Sequence, residues 1–356
     1  MTGSLQDLPD EILLEIFSFL TLKDLQLCFK VTSRFKKIAE DTSLWETIGI
    51  KEKSLGSNDI RRIVRRGVKH LQLHWCNIFY ESLTWKQEDV SKLKCFRMTV
   101  DNNENYRTVS ELLTATQLER FTMHAYHPGT LNDELFNNFL TSISLNGNYL
   151  KSLDLCIIEG SLQPHQFDSF QAIVDNCCQL TQLSIEIING SHLQTLITYI
   201  FDNLTSKIVK LSLICRSQIH EGQIQALVNR CTQLRELDLR TNNLTLSGMN
   251  LILENLPQLE NLCLPICIGS NIEFWLDEIN LNGAISRLKS MKSLKNLWIG
   301  YTDINYLDLD NNGDLIDINY VSFTLKKQLP QLHVNEKKLC LISEQPWNSQ
   351  YNCKYL

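Results

Sequence analysis

By residue type and spacing, the stretch nearest to a chemical site is Asp308-Leu309-Asp310-Asn311-Asn312-Gly313-Asp314. Oxygen ligands at positions 1, 3 and 5 and a glycine at position 6 match the first half of a calcium loop. The second half departs from it. Position 12, where a bidentate Glu closes such a loop, is Asn319, and position 9 is Ile316. An acidic turn inside a long repeat accounts better for the stretch, and no calcium is expected there.

Twelve cysteines offer the next opportunity for chemistry. The pairs Cys177-Cys178 and Cys263/Cys267 have neither a C-x-x-C mate nor a spaced histidine, so no metal site is expected. Most of the cysteines sit in Leu/Ile-rich segments, where a free thiol acts as a small buried hydrophobe. With no secretory leader in front of them, they predict a reducing, intracellular setting, cytoplasmic or nuclear. Sequons at Asn189, Asn203 and Asn243 matter only in a secreted protein. Neither G-x-S-x-G nor H-E-x-x-H occurs, and no glycine loop stands ready to cradle a phosphate. No catalytic residue and no cofactor is therefore assigned. A net charge of -6 and a pI near 5.8 argue against a nucleic-acid or anionic-membrane surface for the whole chain. No apolar run reaches the roughly 18 residues of a membrane span.

What remains is recognition, and the elements that would position it repeat. Units of the form L-x-x-L-x-L begin at Val68, Leu93, Leu118, Leu150, Leu180, Ile208, Leu234, Leu259, Leu294 and, most weakly, Leu329. Their starts lie 25 to 35 residues apart, close to the leucine-rich-repeat period of 20 to 29. Between them the apolar spacing turns helical, as over Gln166–Cys178 and Ile219–Cys231. Several strands are followed by Asn or Cys three places after the last Leu, at Cys76, Asn242 and Cys267, where that side chain can satisfy backbone groups.

The predicted fold class is thus α/β, about ten strand-turn-helix units over residues 68–335 stacked as a solenoid, the strands lining a concave wall. Inward leucines make core and the residues between them face a partner. A basic, histidine-rich early end, His74, Trp75, Arg97, Arg120 and His124, suits an acidic or phosphorylated segment, with aromatic anchors Trp298 and Tyr301 late in the array. Arg61-Arg62-Ile63-Val64-Arg65-Arg66 reads as the solvated face of a connecting helix, within a linker over 49–67. The tail, 336–356, with Trp347, Tyr351 and Tyr355, is either a returning segment or a cap.

The N-terminus carries Leu8-Pro9-Asp10-Glu11-Ile12-Leu13-Leu14-Glu15-Ile16-Phe17, then Leu20, Asp24-Leu25, Val31, Arg34-Phe35 and Leu44-Trp45. Pro9 suits the first position of a helix, and Asp10 and Glu11 suit its positive end. Ile12, Leu13, Ile16, Phe17 and Leu20 form one apolar face. Thr21 with Asp24, and Ser43 with Glu46, have capping-box spacing, so three short helices are predicted. Apolar residues on several faces of so small a unit call for a partner.

In order and spacing these residues resemble an F-box over residues 5–48, with Phe35 where many members carry Trp. The resemblance implies docking on a Skp-family adaptor and through it a cullin-RING ubiquitin ligase. It carries adaptor contact to Leu8, Pro9, Ile12, Leu13, Ile16, Phe17, Leu20, Leu25, Val31, Phe35 and Trp45. The downstream units resemble the leucine-rich repeats that often follow an F-box, implying a non-catalytic receptor for a protein substrate. The alternative is a leucine-rich interaction scaffold with no ligase role.

Overall fold

A computed structural model describes residues 5–81, 85–100, 103–125, 133–157, 164–187, 192–215, 217–239, 243–265, 278–302, 326–331, 333–339 and 354–355. They fall in two compact units, Met1–His124 with Pro346–Leu356, and Ala125–Gln345. Asp308–Asp314, Arg240, Asn242, Cys267, Trp347 and Tyr351 lie outside the described residues.

The first unit opens with the three expected short helices, α1 (Asp10–Ser18), α2 (Leu22–Cys28) and α3 (Ser33–Ala39). Pro9 is the residue before α1 and not its first turn, with φ -57° and ψ 153°. The Thr21 hydroxyl accepts the Asp24 N–H at 3.2 Å and Thr32 accepts from Phe35 at 3.0 Å, satisfying amides that the first turn leaves without partners. The capping expected at Ser43 comes from Asp41 instead, whose carboxylate takes the Ser43 N–H at 2.9 Å and starts a short turn over Thr42–Trp45. Within the bundle Phe17 meets Phe35 edge to face at 5.3 Å, above fully buried Leu13, Leu22 and Leu25. Each such side chain contributes about 1.5–3 kcal/mol by leaving water.

Trp45 ends the bundle and begins the repeats. Its buried indole donates to the Ala39 carbonyl at 2.8 Å, stacks on Phe29 at 6.1 Å and carries the Arg66 guanidinium over its ring at 4.6 Å. The linker expected over 49–67 is itself a repeat: β1 (Thr47–Lys51), β2 (Ser54–Gly56) and α4 (Ser57–Arg65). β1 runs parallel to β3 (His70–His74), with Ile48 opposite Leu71 and Ile50 opposite Leu73. Trp45-x-x-Ile48-x-Ile50 therefore occupies the frame of Val68-x-x-Leu71-x-Leu73.

The arginine run is more than a solvated face. Arg61 and Arg65 both donate to the Asp89 carboxylate, at 2.8 and 2.7 Å, and Arg62 stays largely in water. Hydrogen bonding to Arg65 and then Arg61 holds the Asp89 carboxyl below the usual carboxylate range. Asp89 lies on the one-turn α5 (Gln87–Val90), so the pair ties one repeat's outer layer to the next.

Beyond β3 come β4 (Asn77–Phe79), parallel to β2, then β5 (Cys95–Val100), α6 (Asn103–Ala115) and β6 (Arg120–Ala125). Cys76 is buried and its thiol donates to the Ile50 carbonyl at 3.4 Å, the backbone role its position predicts. Glu52 and Trp75, equivalent residues just past β1 and β3, hold left-handed backbone at φ 53° and 52°. That conformation is costly for a bulky aromatic, of order 1–3 kcal/mol.

The second unit repeats one plan: α7 (Asp133–Leu145), β7 (Ser152–Ile157), α8 (Pro164–Asn176), β8 (Gln182–Ile187), α9 (Leu193–Asn203), β9 (Lys210–Cys215) and β10 (Gln218–Ile219). It continues through α10 (Glu221–Arg230), β11 (Glu236–Asp238), β12 (Asn243–Leu244), α11 (Leu246–Asn255), β13 (Asn261–Pro265), α12 (Glu278–Ser290), β14 (Asn296–Thr302) and β15 (His333–Leu339). Apart from the small β10–β12 pair, these strands lie side by side and parallel in chain order, as right-handed strand-helix crossovers produce. Leu153, Leu183, Leu211, Leu237, Leu262 and Leu297 face one another across the paired strands and form one buried row. The last frame differs from expectation. Val334, not Leu332, pairs with Leu297, a shift of two residues, one strand period. β15 also runs to Leu339, so the repeat sheet extends into the expected tail.

The chain ends by adding β16 (Lys354–Tyr355) to the free edge of β1 in the first unit, Lys354 opposite Ile48 and Tyr355 opposite Gly49. Of the two alternatives for the tail, a returning segment and a cap, this strand does both: it covers an edge that would otherwise expose unpaired backbone groups.

Trp45→Ala is expected to lower the unfolding free energy by about 3–5 kcal/mol. Trp45→Phe keeps most of the packing but strands the Ala39 carbonyl, a loss of about 1–3 kcal/mol, and urea denaturation reads both. Trp75→Asn is expected to be more stable than Trp75→Val by about 1–2 kcal/mol in the same assay, since Asn accepts left-handed backbone and a β-branched residue does not.

Candidate functional site

Two surfaces emerge from this scaffold. The first lies on α1–α3. Arg34 on α3 donates to the Leu8 carbonyl at 2.6 Å, to Gln6, and to the Asp10 carboxylate at 2.7 Å, pinning Leu8-Pro9 beside the bundle. In the same N-terminal stretch, Phe19 is 83% exposed, Val31 58%, Leu27 52%, Leu5 50% and Ile12 42%. Five of the nine exposed large apolar residues among those described thus fall within the first 31 positions. Scattered single residues would mean nothing, but this concentration marks an interaction surface.

The eleven residues that the F-box resemblance names divide by burial. Pro9, Ile12 and Val31 are at the surface, and Leu8, Ile16 and Leu20 are half-buried. Leu13, Phe17, Leu25, Phe35 and Trp45 are inside, where they shape the bundle. The reason is geometric. Leu13 and Phe17 stand one turn apart and fill the bundle, and three short helices leave no room to cover Ile12 beside them. Phe19, Leu27 and Leu5 were missed as surface candidates. Phe19 was already off the apolar face of α1, and that was the available signal.

The second surface is the strand face of the first unit. β1, β3, β5 and β6 bury the motif's apolar side chains and alternate them with residues of the other face, where His74 stands opposite Lys51 and Arg97 opposite Gln72, which is itself buried. Arg120 begins the next strand, its N–H bonded to the Lys94 carbonyl, and His124 is the last residue but one in it. The structure therefore brings together His74, Trp75, Arg97, Arg120 and His124, and adds Lys51, which the linker assignment had hidden. Burial and then the Arg120 charge lower the His70 pKa. Burial, Lys51 and His124 lower that of His74, partly offset by Glu52. Trp75 is 38% exposed and stacks on His74 at 5.9 Å.

Trp298 and Tyr301 lie elsewhere, on β14 of the second unit, Trp298 half-buried and Tyr301 opposite Lys338. Along that unit's strands the character changes. The Cys156 thiol donates to the buried Glu186 carboxylate at 3.3 Å, and burial followed by the Glu186 charge pushes that thiol far above its usual range. Among the described residues no group of three His, Cys, Asp or Glu side chains is placed to hold a metal, and no helix is long and apolar enough to cross a membrane.

Residues 5–51 match the family model described as F-box-like. The crystal structure of a TLR13-ssRNA13 complex is similar to the chain at 14% identity and a TM-score of 0.36, over 82% of this chain and 48% of that one. The chain thus spans about half the length of that protein, and at such a score the likeness adds nothing to the strand and helix rows described above. Residues 5–51 are an F-box-like domain, and the parallel strand-helix units that follow are leucine-rich α/β repeats.

Proposed function

We propose that the chain is the substrate-recognition subunit of an SCF-type cullin-RING ubiquitin ligase, acting in the cytoplasm or nucleus. Its F-box-like helices dock a Skp-family adaptor and its strand face holds the protein to be ubiquitinated. The observation that carries this reading is the concentration of exposed apolar side chains on α1–α3, within the span that matches the F-box-like model. The same stretch also exposes Asp10, Glu11, Lys23 and Lys30, and mixed apolar and charged surface is what protein interfaces use.

The bond-making chemistry belongs to the partners. What this chain contributes is position: recruiting machinery at one end and cargo at the other raises the effective concentration of one for the other. Trp45 and the Asp89 pair keep the domain and the first repeats in one geometry.

Co-purification with a Skp-family adaptor tests the proposal. Ile12→Glu combined with Val31→Glu is expected to abolish adaptor recovery while the melting temperature stays within a few degrees, because both side chains are exposed. Phe17→Ala is expected instead to lower stability by about 3–5 kcal/mol. Undiminished recovery with the double variant, or no adaptor with the unaltered chain, leaves the alternative of a leucine-rich scaffold without a ligase role.

A further inference from the structure

On the described strands β1, β3, β5 and β6, three outward positions per strand contain no carboxylate. Lys51, Arg97 and Arg120 supply three fixed cations there, and His70, His74 and His124 three imidazoles. This is the reverse of the chain's overall balance of -6. It is also the reverse of the second unit's strands, where Asp154, Glu186, Glu236 and Asp238 stand with Lys210.

Among the described residues, three carboxylates sit next to these strands and are ion-paired. Glu46 pairs with Lys69, Glu119 with Lys94 at 3.9 Å, and Glu52 with Lys51 at 3.2 Å. Burial first, and then the Arg120 charge at His70 and the Lys51 charge at His74, disfavour charging of these two imidazoles.

We infer that the strand face of the first four repeats docks an acidic peptide segment of the substrate, carboxylate-rich or phosphorylated, with Arg97 and Arg120 as its principal charge partners. The inference rests on the receptor reading above and narrows it to a class of cargo. Adjoining strands are about 4.8 Å apart, and residues two apart in an extended peptide are separated by roughly 6.6 Å, so successive acidic side chains on one face of such a peptide reach different strands of the wall. Guanidinium groups bind carboxylate and phosphate oxygens in pairs, which suits both sources of negative charge. Trp75, exposed at the end of β3, offers an apolar contact beside the charges.

The test is fluorescence anisotropy of the full chain, co-purified with its adaptor, using labelled oligo-glutamate, a serine-phosphorylated peptide, oligo-lysine and oligo-uridylate as probes. Binding of one or both acidic peptides, weakened by salt and reduced on the order of tenfold or more by Arg97→Glu with Arg120→Glu, supports the inference. The milder Arg97→Gln with Arg120→Gln pair reports the same loss if charge reversal disturbs folding. Lys210→Glu on the second unit is expected to change nothing. Equal affinity of the unaltered and Arg97/Arg120 variants overturns the inference, as does tighter binding of oligo-uridylate than of either peptide. Adaptor recovery is measured in the same preparations. Its loss in the unaltered chain would count against the ligase reading alone, whereas its retention with unchanged peptide affinity in the variants would sink only the acidic-segment inference.

Discussion

The burial of one indole organises the N-terminal unit. Trp45 is counted twice by the fold, as the residue that closes the three-helix bundle and as the first apolar position of the first repeat. A large aromatic can serve both because it removes a wide apolar area from water while its single polar atom finds the Ala39 carbonyl. A smaller side chain would pack against one neighbour or the other. Because the bundle and β1 share this ring, the F-box-like domain passes into the repeats with no flexible linker, and Arg66 closes over it from the far end of α4.

Downstream, a simpler constraint repeats itself. Each strand and helix can bury its apolar face only against the adjoining unit, so stability accumulates from nearest-neighbour contacts. The leucine rows and the polar ladder between helices, such as Ser169 to Asn137 at 2.6 Å and Tyr199 to Asp175 at 2.8 Å, are the two layers of that contact. A core specified by every second strand residue leaves the others unconstrained by packing. This freedom lets the strands of the first unit carry basic residues and those of the second acidic ones without altering the strand-helix plan.

Much of this was legible because periodicity is a local property. The L-x-x-L-x-L frames at Leu153, Leu183, Leu211, Leu237, Leu262 and Leu297 align in the sheet as their spacing requires. Trp45-x-x-Ile48-x-Ile50 escaped notice as a repeat because Trp stands where Leu is usual and the helices before it claimed the same residues. At Leu329 the motif was degenerate, and two frames one strand period apart both offered apolar residues; the backbone pairing with β14 chose Val334.

Residue types and their intervals alone establish a compact helical domain with an apolar surplus, a run of strand-helix units, and which strand positions turn inward. They also locate the basic residues on neighbouring units. Tertiary structure decided matters that depend on neighbours distant in sequence. Leu13 and Phe17 are core whereas Ile12 is surface because α3 and the Thr42–Trp45 turn approach α1 from one side only. Arg61 and Arg65 are ion-paired because Asp89 lies one repeat away. The chain's last strand covers β1 because only the folded sheet presents that edge. Burial is the number of atoms that arrive from elsewhere, and no local pattern of residues contains it.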